Sequence, residues 1–255
     1  SYSQATGNEI TVPTKNSNGD FEAYNIPRGN YYPVISAPGF TTHTSSRYTL
    51  DDHMTQDFGL VPGQYEAFID ELLRMPEGRF QKMIPSSVQG FYIFTGVWPW
   101  ATQGLTSGQV QVVRDILTNK VPNFIGRSDI PIYEGTNPPD SATAQGWLVV
   151  SGDNTISALG GNYNEFNGDI ARYGEAIIYP GLNPDFFLAV ALTEISEVLL
   201  AGAESNLVRP SIFNDPYSTP LPTNYEPVDL NLVKKFAFHP IYGRDVGNTF
   251  PDNNP

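Results

Sequence analysis

Thr193, Glu194 and Glu197 are the residues whose types and spacing come nearest to a catalytic arrangement in this chain. They lie in the apolar stretch Leu192-Thr193-Glu194-Ile195-Ser196-Glu197-Val198-Leu199, which reads as a helix. On a helix, positions i and i+4 share one face, so Thr193 and Glu197 stand one turn apart on the same side. Glu194, next to Thr193, is a carboxylate of the kind that serves as a general base. A blander reading makes Leu188, Leu192, Ile195 and Leu199 a core face and leaves Glu194, Glu197 and Glu204 on a wetter side.

Other side chains offer other chemistry. His53, with Asp51 or Asp52 and a distant carboxylate, is a second candidate metal site, although neither His43 nor His239 completes a ligand pair of diagnostic spacing. Trp98, Trp100 and Tyr163 are candidate ligand-binding aromatics, since sugar CH groups pack on rings while nearby amides and acids bond hydroxyls. The competing role for Trp98 and Trp100 is to plug the end of a sheet. Ser86, Ser87 and Ser107 lack the Gly-x-Ser-x-Gly context of a nucleophile elbow. Gly152-Asp-Asn and Gly160-Gly lack a phosphate-cradling pattern and read as hairpin turns.

The elements that must position these residues follow from periodicity. Residues 1–60 hold many breakers and read as an extended N-terminal arm with short strands, one of them at 31–35. Residues 63–75 predict a helix whose apolar face is Tyr65, Phe68, Ile69, Leu72 and Leu73. Strands are expected at 90–97, 130–133, 145–151 and 175–179, with a helix at 106–119 capped by Thr106. Pro131 puts its strand at an edge. Residues 157–167 read as a Gly/Asn-rich loop. The long helix spans about 184–205, with Pro184 in its first turn and Asp185 at the positive end of its dipole. A last strand candidate lies at 232–238. The core is therefore residues 61–207, and a Pro/Asn-rich C-terminal arm, 208–255, packs on it. The fold class is α+β: a mixed β-sheet, a long helix following the last core strand, and Pro-rich extended arms.

A strand, a helix, several strands and then a long helix with glutamate at its centre resembles the upper half of the zincin metallopeptidases, whose last helix carries His-Glu-x-x-His. Thr193-Glu194-Ile195-Ser196-Glu197 occupies the place of that motif. Gly160-Gly-Asn-Tyr-Asn-Glu-Phe and Tyr173-Gly-Glu-Ala-Ile-Ile-Tyr resemble the edge-strand region before the active helix in secreted relatives with a His-Glu-x-x-Glu variant. The resemblance covers residues 88–207. It implies a zincin-like fold, with Glu194 as base and Glu197 as ligand. Thr193 departs from the pattern, and a neutral hydroxyl is a poor zinc ligand. What the resemblance implies is therefore a pseudoenzyme.

Composition narrows the partners. Acidic residues outnumber basic ones 27 to 14, and a net charge of −13 repels nucleic acid and anionic membrane surfaces. With no cysteine, disulfides, thiolate metal sites and cysteine nucleophiles are excluded. The longest apolar helix is interrupted by Thr, Glu and Ser, so no membrane span is expected. A start at Ser1 without methionine fits removal of a leader, though no Asn-x-Ser/Thr sequon supports secretion.

These readings converge on an extracellular, non-catalytic structural or binding protein, secreted or particle-associated, on a zincin-like scaffold. No cofactor is expected beyond an optional divalent metal, and the terminal arms suit a homo-oligomer or larger assembly. The alternatives are a metal-dependent hydrolase using Glu194, and a carbohydrate-binding protein.

Overall fold

Short runs rich in aromatic and β-branched residues pair into the central sheet, as their propensity for a pleated, half-buried surface requires. The computed structural model describes residues 2–4, 9–16, 20–40, 42–44, 48–51, 63, 66–73, 85–167, 170–200, 211–214 and 222–230. Its N-terminal strands are β1 (Tyr2–Gln4), β2 (Glu9–Ile10), β3 (Gly29–Ile35), β4 (His43–Thr44) and β5 (Tyr48–Leu50). They form a sheet of their own around β3, which pairs antiparallel with β1, β4 and β5. The first helix, α1 (Glu66–Leu73), buries Phe68 and Leu72 from its predicted apolar face.

The larger sheet contains β6 (Gly90–Phe94), β7 (Ile132–Gly135), β8 (Trp147–Gly152), β9 (Gly160–Asn167) and β10 (Ile170–Ile178), in the order β7-β6-β8-β10-β9. Four neighbours run parallel and β9 returns antiparallel along β10, which makes the sheet mixed. β7 lies at an edge, where the Pro131 next to it costs no interior ladder bond. Among the described residues α1 is followed by α2 (Ser107–Asp115), α3 (Val121–Ile125) and α4 (Pro184–Leu200), the last coming directly after the sheet.

Thr106 caps α2 with a capping box, its Oγ1 accepting from Gln109 N while Gln109 Oε1 accepts from Thr106 N. The helix does not stop at 119. A π turn at Ile116–Lys120 lets Val121 N donate to Ile116 O, and α3 then begins at Val121 with Pro122 in its first turn, where a missing N–H matters little. Gly126, at φ 74°, ends α3 in the left-handed region.

Two faces of the sheet have different coverings. Phe91, Ile93, Leu148, Val150, Ala176 and Ile178 face the helices and join one core with Val113, Phe124, Leu192, Ile195 and Leu199. Burial of each of the larger side chains among them contributes about 1.5–3 kcal/mol. The opposite face carries a smaller cluster of Phe94, Val149 and Tyr173, with Tyr92, Trp98 and Trp147 packed against it.

The structure corrects the sequence reading of residues 157–167. Residues 160–167 are not a loop but β9, and Gly160-Gly161 is the start of a strand and not a hairpin turn. Eight residues, most of them glycine or asparagine, are held extended because β10 supplies an antiparallel ladder from Ile178↔Gly160 to Ile170↔Asn167, with one register shift between Ala171 and Tyr173. Tertiary pairing overrides local preference here. The strand expected at 232–238 and the end of the long helix beyond Leu200 lie outside the described residues.

Candidate functional site

Helix α4 opens with Asn183, whose Oδ1 accepts from Phe186 N, followed by Pro184 at the first turn and Asp185 near the positive dipole end. Its interior is enclosed on all sides: every residue from Ala189 to Leu200 is buried. This overturns the reading that placed Glu194 and Glu197 on a wetter side, since they are only 4% and 3% exposed. Leu188, expected in the core face, is only half-buried.

Buried polar groups cost several kcal/mol unless hydrogen-bonded, and each of these residues has a protein partner, although among the described residues no hydrogen bond reaches Glu197 Oε1. Asn162 reaches in from β9, its amide donating to Glu197 Oε2 at 2.8 Å and to Glu194 Oε2 at 3.3 Å. Asn164 binds the helix a turn further on, donating to Val198 O at 2.9 Å. Gly160 lets the strand approach this closely: a Cβ there would stand 2.4 Å from Glu194 Oε1 and 2.6 Å from its Cγ. Thr193 Oγ1 donates to Ile212 O at 2.7 Å. Ser196 Oγ donates to Leu192 O and meets the Tyr225 hydroxyl at 2.8 Å, so Tyr225 must be the donor in that pair.

Residues 211–214 and 222–230 form a clasp over this side of α4. Asp229 is fully buried at its centre. It accepts from Ser211 Oγ at 2.6 Å, Glu226 N at 2.8 Å and Ile212 N at 3.2 Å. Burial pushes its carboxyl up to about 6, against the pull of those donors. Tyr225 stacks on Phe124 of α3, with ring centroids 4.5 Å apart.

The donor set does not suit zinc. Thr193, at the first ligand position, spends its proton on the Ile212 carbonyl, and the carboxylates face an amide donor. Among the described residues no three His, Cys, Asp or Glu side chains converge on a point. His53 lies outside the described residues, and His43 sits in the N-terminal sheet. No helix among the described residues is long and apolar enough to cross a membrane.

The predicted aromatics lie on the other side of the sheet. Trp98 stacks on Phe94 at 4.3 Å, and Trp100 lies parallel to Trp98 at 5.2 Å and 6°. Trp100 is 63% exposed, yet its Nε1 donates to Asp153 Oδ2 at 2.8 Å. Thus Trp98 covers the end of β6 as a plug would, whereas Trp100 extends the stack into solvent. Asp153 also accepts from Thr155 N and Thr155 Oγ1, both at 2.7 Å. Burial works to raise its carboxyl, but these donors and Trp100 outweigh it and hold the group below the usual carboxylate range. Asn154 braces the loop before α2, accepting from Thr102 N and Gln103 N. Tyr163 is on β9, not in a loop, and sits directly across from Glu175 of β10. Glu175 Oε1 accepts from Ser151 Oγ at 2.7 Å, and burial raises its carboxyl, with the Asp153 charge adding to the effect.

The structure therefore separates the predicted residues into a buried group on α4 and an aromatic group on the far face. Sequence reasoning missed Asn162, Asp153, Glu175 and Asp229. The Gly160-Gly-Asn162 run held a usable signal, because glycine beside a short amide marks close backbone approach. Compared with known protein families, curated proteins and solved structures, the chain finds no match.

Proposed function

We propose that this chain is a non-catalytic structural or binding protein, secreted or particle-associated, built on a zincin-like scaffold whose metal-ligand positions serve packing. The observation that carries this reading is the 2.7 Å bond from Thr193 to the Ile212 carbonyl. A residue placed to hold a metal instead docks the clasp onto the helix. Burial of Glu194 and Glu197 behind Asn162 supports the same reading, because a general base needs a path to water and substrate. The order of elements supports the scaffold: strand, helices, strands, an antiparallel edge strand, a last core strand, and then a long helix. Extended termini strapping neighbouring copies would give the assembly role.

Elemental analysis of the purified protein, combined with a peptidase assay on wild type and Glu194→Gln, tests this. The expected outcome is no stoichiometric transition metal and no hydrolysis that depends on Glu194. Stoichiometric zinc, or an activity abolished by Glu194→Gln, would overturn the reading in favour of a hydrolase.

A further inference from the structure

We propose that the clasp formed by residues 211–214 and 222–230 is a proton-operated latch, with Asp229 as its pin, that closes on α4 in acid and opens as the pH rises. The two oxygens of this side chain join the two segments. Oδ1 accepts from Ser211 Oγ, while Oδ2 accepts from Ile212 N of one segment and Glu226 N of the other. Outward from there, Ile212 O takes the Thr193 hydroxyl and Tyr225 donates to Ser196 Oγ, both on α4. The rings of Tyr225 and Phe213 pack on Phe124 of α3. Within the first segment, Phe213 N donates to Ser211 Oγ and Ser211 N to Asn214 Oδ1. The clasp is thus one hydrogen-bonded unit centred on a carboxyl that is 0% exposed.

What this centre lacks among the described residues is a cation. Its own segment brings the Glu226 carboxylate and the Tyr225 phenol toward it, and residues 211–214 bring only hydroxyl, amide and backbone groups. On α4, Thr193 and Ser196 meet the clasp with hydroxyls, while Glu194 and Glu197 are turned to Asn162 of β9. Lys120, in the π turn before α3, donates to Asn224 instead. A carboxylate shut away without a counter-charge costs more than its hydrogen bonds return, so the closed clasp favours the protonated acid. An open clasp returns the group to water, where it ionises as an exposed aspartate does. The closed form therefore has its full advantage below the open-state value and loses it as the pH climbs through the closed-state one. Opening uncovers Ile212, Phe213 and Phe124, all buried, together with the hydroxyls of Thr193 and Ser196.

The backbone amides of Ile212 and Glu226 bond the carboxyl directly, so their hydrogen exchange reports on the latch. The experiment follows exchange of the full chain by NMR at a series of pH values from 4.5 to 7.5, expressed as protection relative to an unfolded chain. Both amides should lose protection about twentyfold across that range, for a carboxyl titrating at about 6 when closed and about 3.9 when open. At every pH they should be about tenfold or more less protected than the amides of β8, because the clasp opens without the sheet. Asp229→Asn keeps the shape of the protonated acid and should hold both amides within about twofold over the whole range. Glu226→Gln removes the neighbouring negative charge and should move the wild-type midpoint to lower pH, which keeps the test open if Asp229→Asn does not fold. Protection that ignores pH, a pH dependence that survives in Asp229→Asn, or a midpoint that Glu226→Gln leaves in place would each overturn the latch. Clasp and β8 amides exchanging together would overturn it too, since the opening would then be unfolding of the whole chain.

Discussion

At the scale of a residue, Thr193 places a hydroxyl among aliphatic carbons, and one carbonyl on a neighbouring segment satisfies it. Thr193→Val keeps the shape and removes the donor, which strands the Ile212 oxygen. The loss should be about 1–3 kcal/mol in urea unfolding, the cost of a buried polar group left without its partner. A change within about 0.5 kcal/mol would mean the clasp is not held by this bond. The same logic explains why the residues that carry the site were unevenly legible. Glu194 and Glu197 stand out in the sequence because acids in an apolar helix are rare. Asn162 does not, because its importance depends on β9 pairing beside α4, and no local pattern announces that register.

Elements were read well where the pattern is local and poorly where it is not. Helix α2 began at its predicted cap, and β6 and β8 fell in the apolar runs that named them, because periodicity and capping are written within a few residues. Its continuation through Pro122 was hidden, since proline ordinarily ends a helix and only a π turn admits it here. β9 was hidden for the opposite reason: its composition says loop and its partner says strand. Thr106 offers a test at this scale. Its capping box is with Gln109, whose Nε2 also donates to Pro180 O, tying the start of α2 to the turn before α4. Thr106→Ala should cost about 1 kcal/mol in thermal or urea unfolding. Gln109→Ala should cost as much or more, because it breaks both the box and the tie. Equal, negligible losses would show that neither contact holds the two helices in register.

For the whole molecule, acidity and burial combine into a pH dependence. The Asp229 carboxyl titrates near 6 when folded, against about 3.9 in an unfolded chain. Between those values the folded chain keeps a proton that the unfolded chain releases. Its contribution to stability is therefore full at low pH, falls as pH rises through the window, and is flat above it, a span on the order of 3 kcal/mol. The groups nearest in the clasp are the Glu226 carboxylate, which raises Asp229 further, and the Tyr225 phenol, which burial keeps protonated. Asp229→Asn removes this slope, so urea unfolding from pH 4.5 to 7 should show the variant gaining on wild type as pH rises. Parallel curves would mean that Asp229 does not titrate in the window.

The Thr193–Ile212 bond also sets a limit on redesign. An imidazole at position 193 would take the place of the hydroxyl that fastens the clasp, so a single exchange would loosen residues 211–214 without opening the carboxylates to solvent. Turning this helix into a metal centre would require rebuilding the clasp and drawing back the β9 edge together. The two substitutions that the motif asks for are thus the smaller part of the change, and the larger part lies in segments that never touch the metal position in sequence.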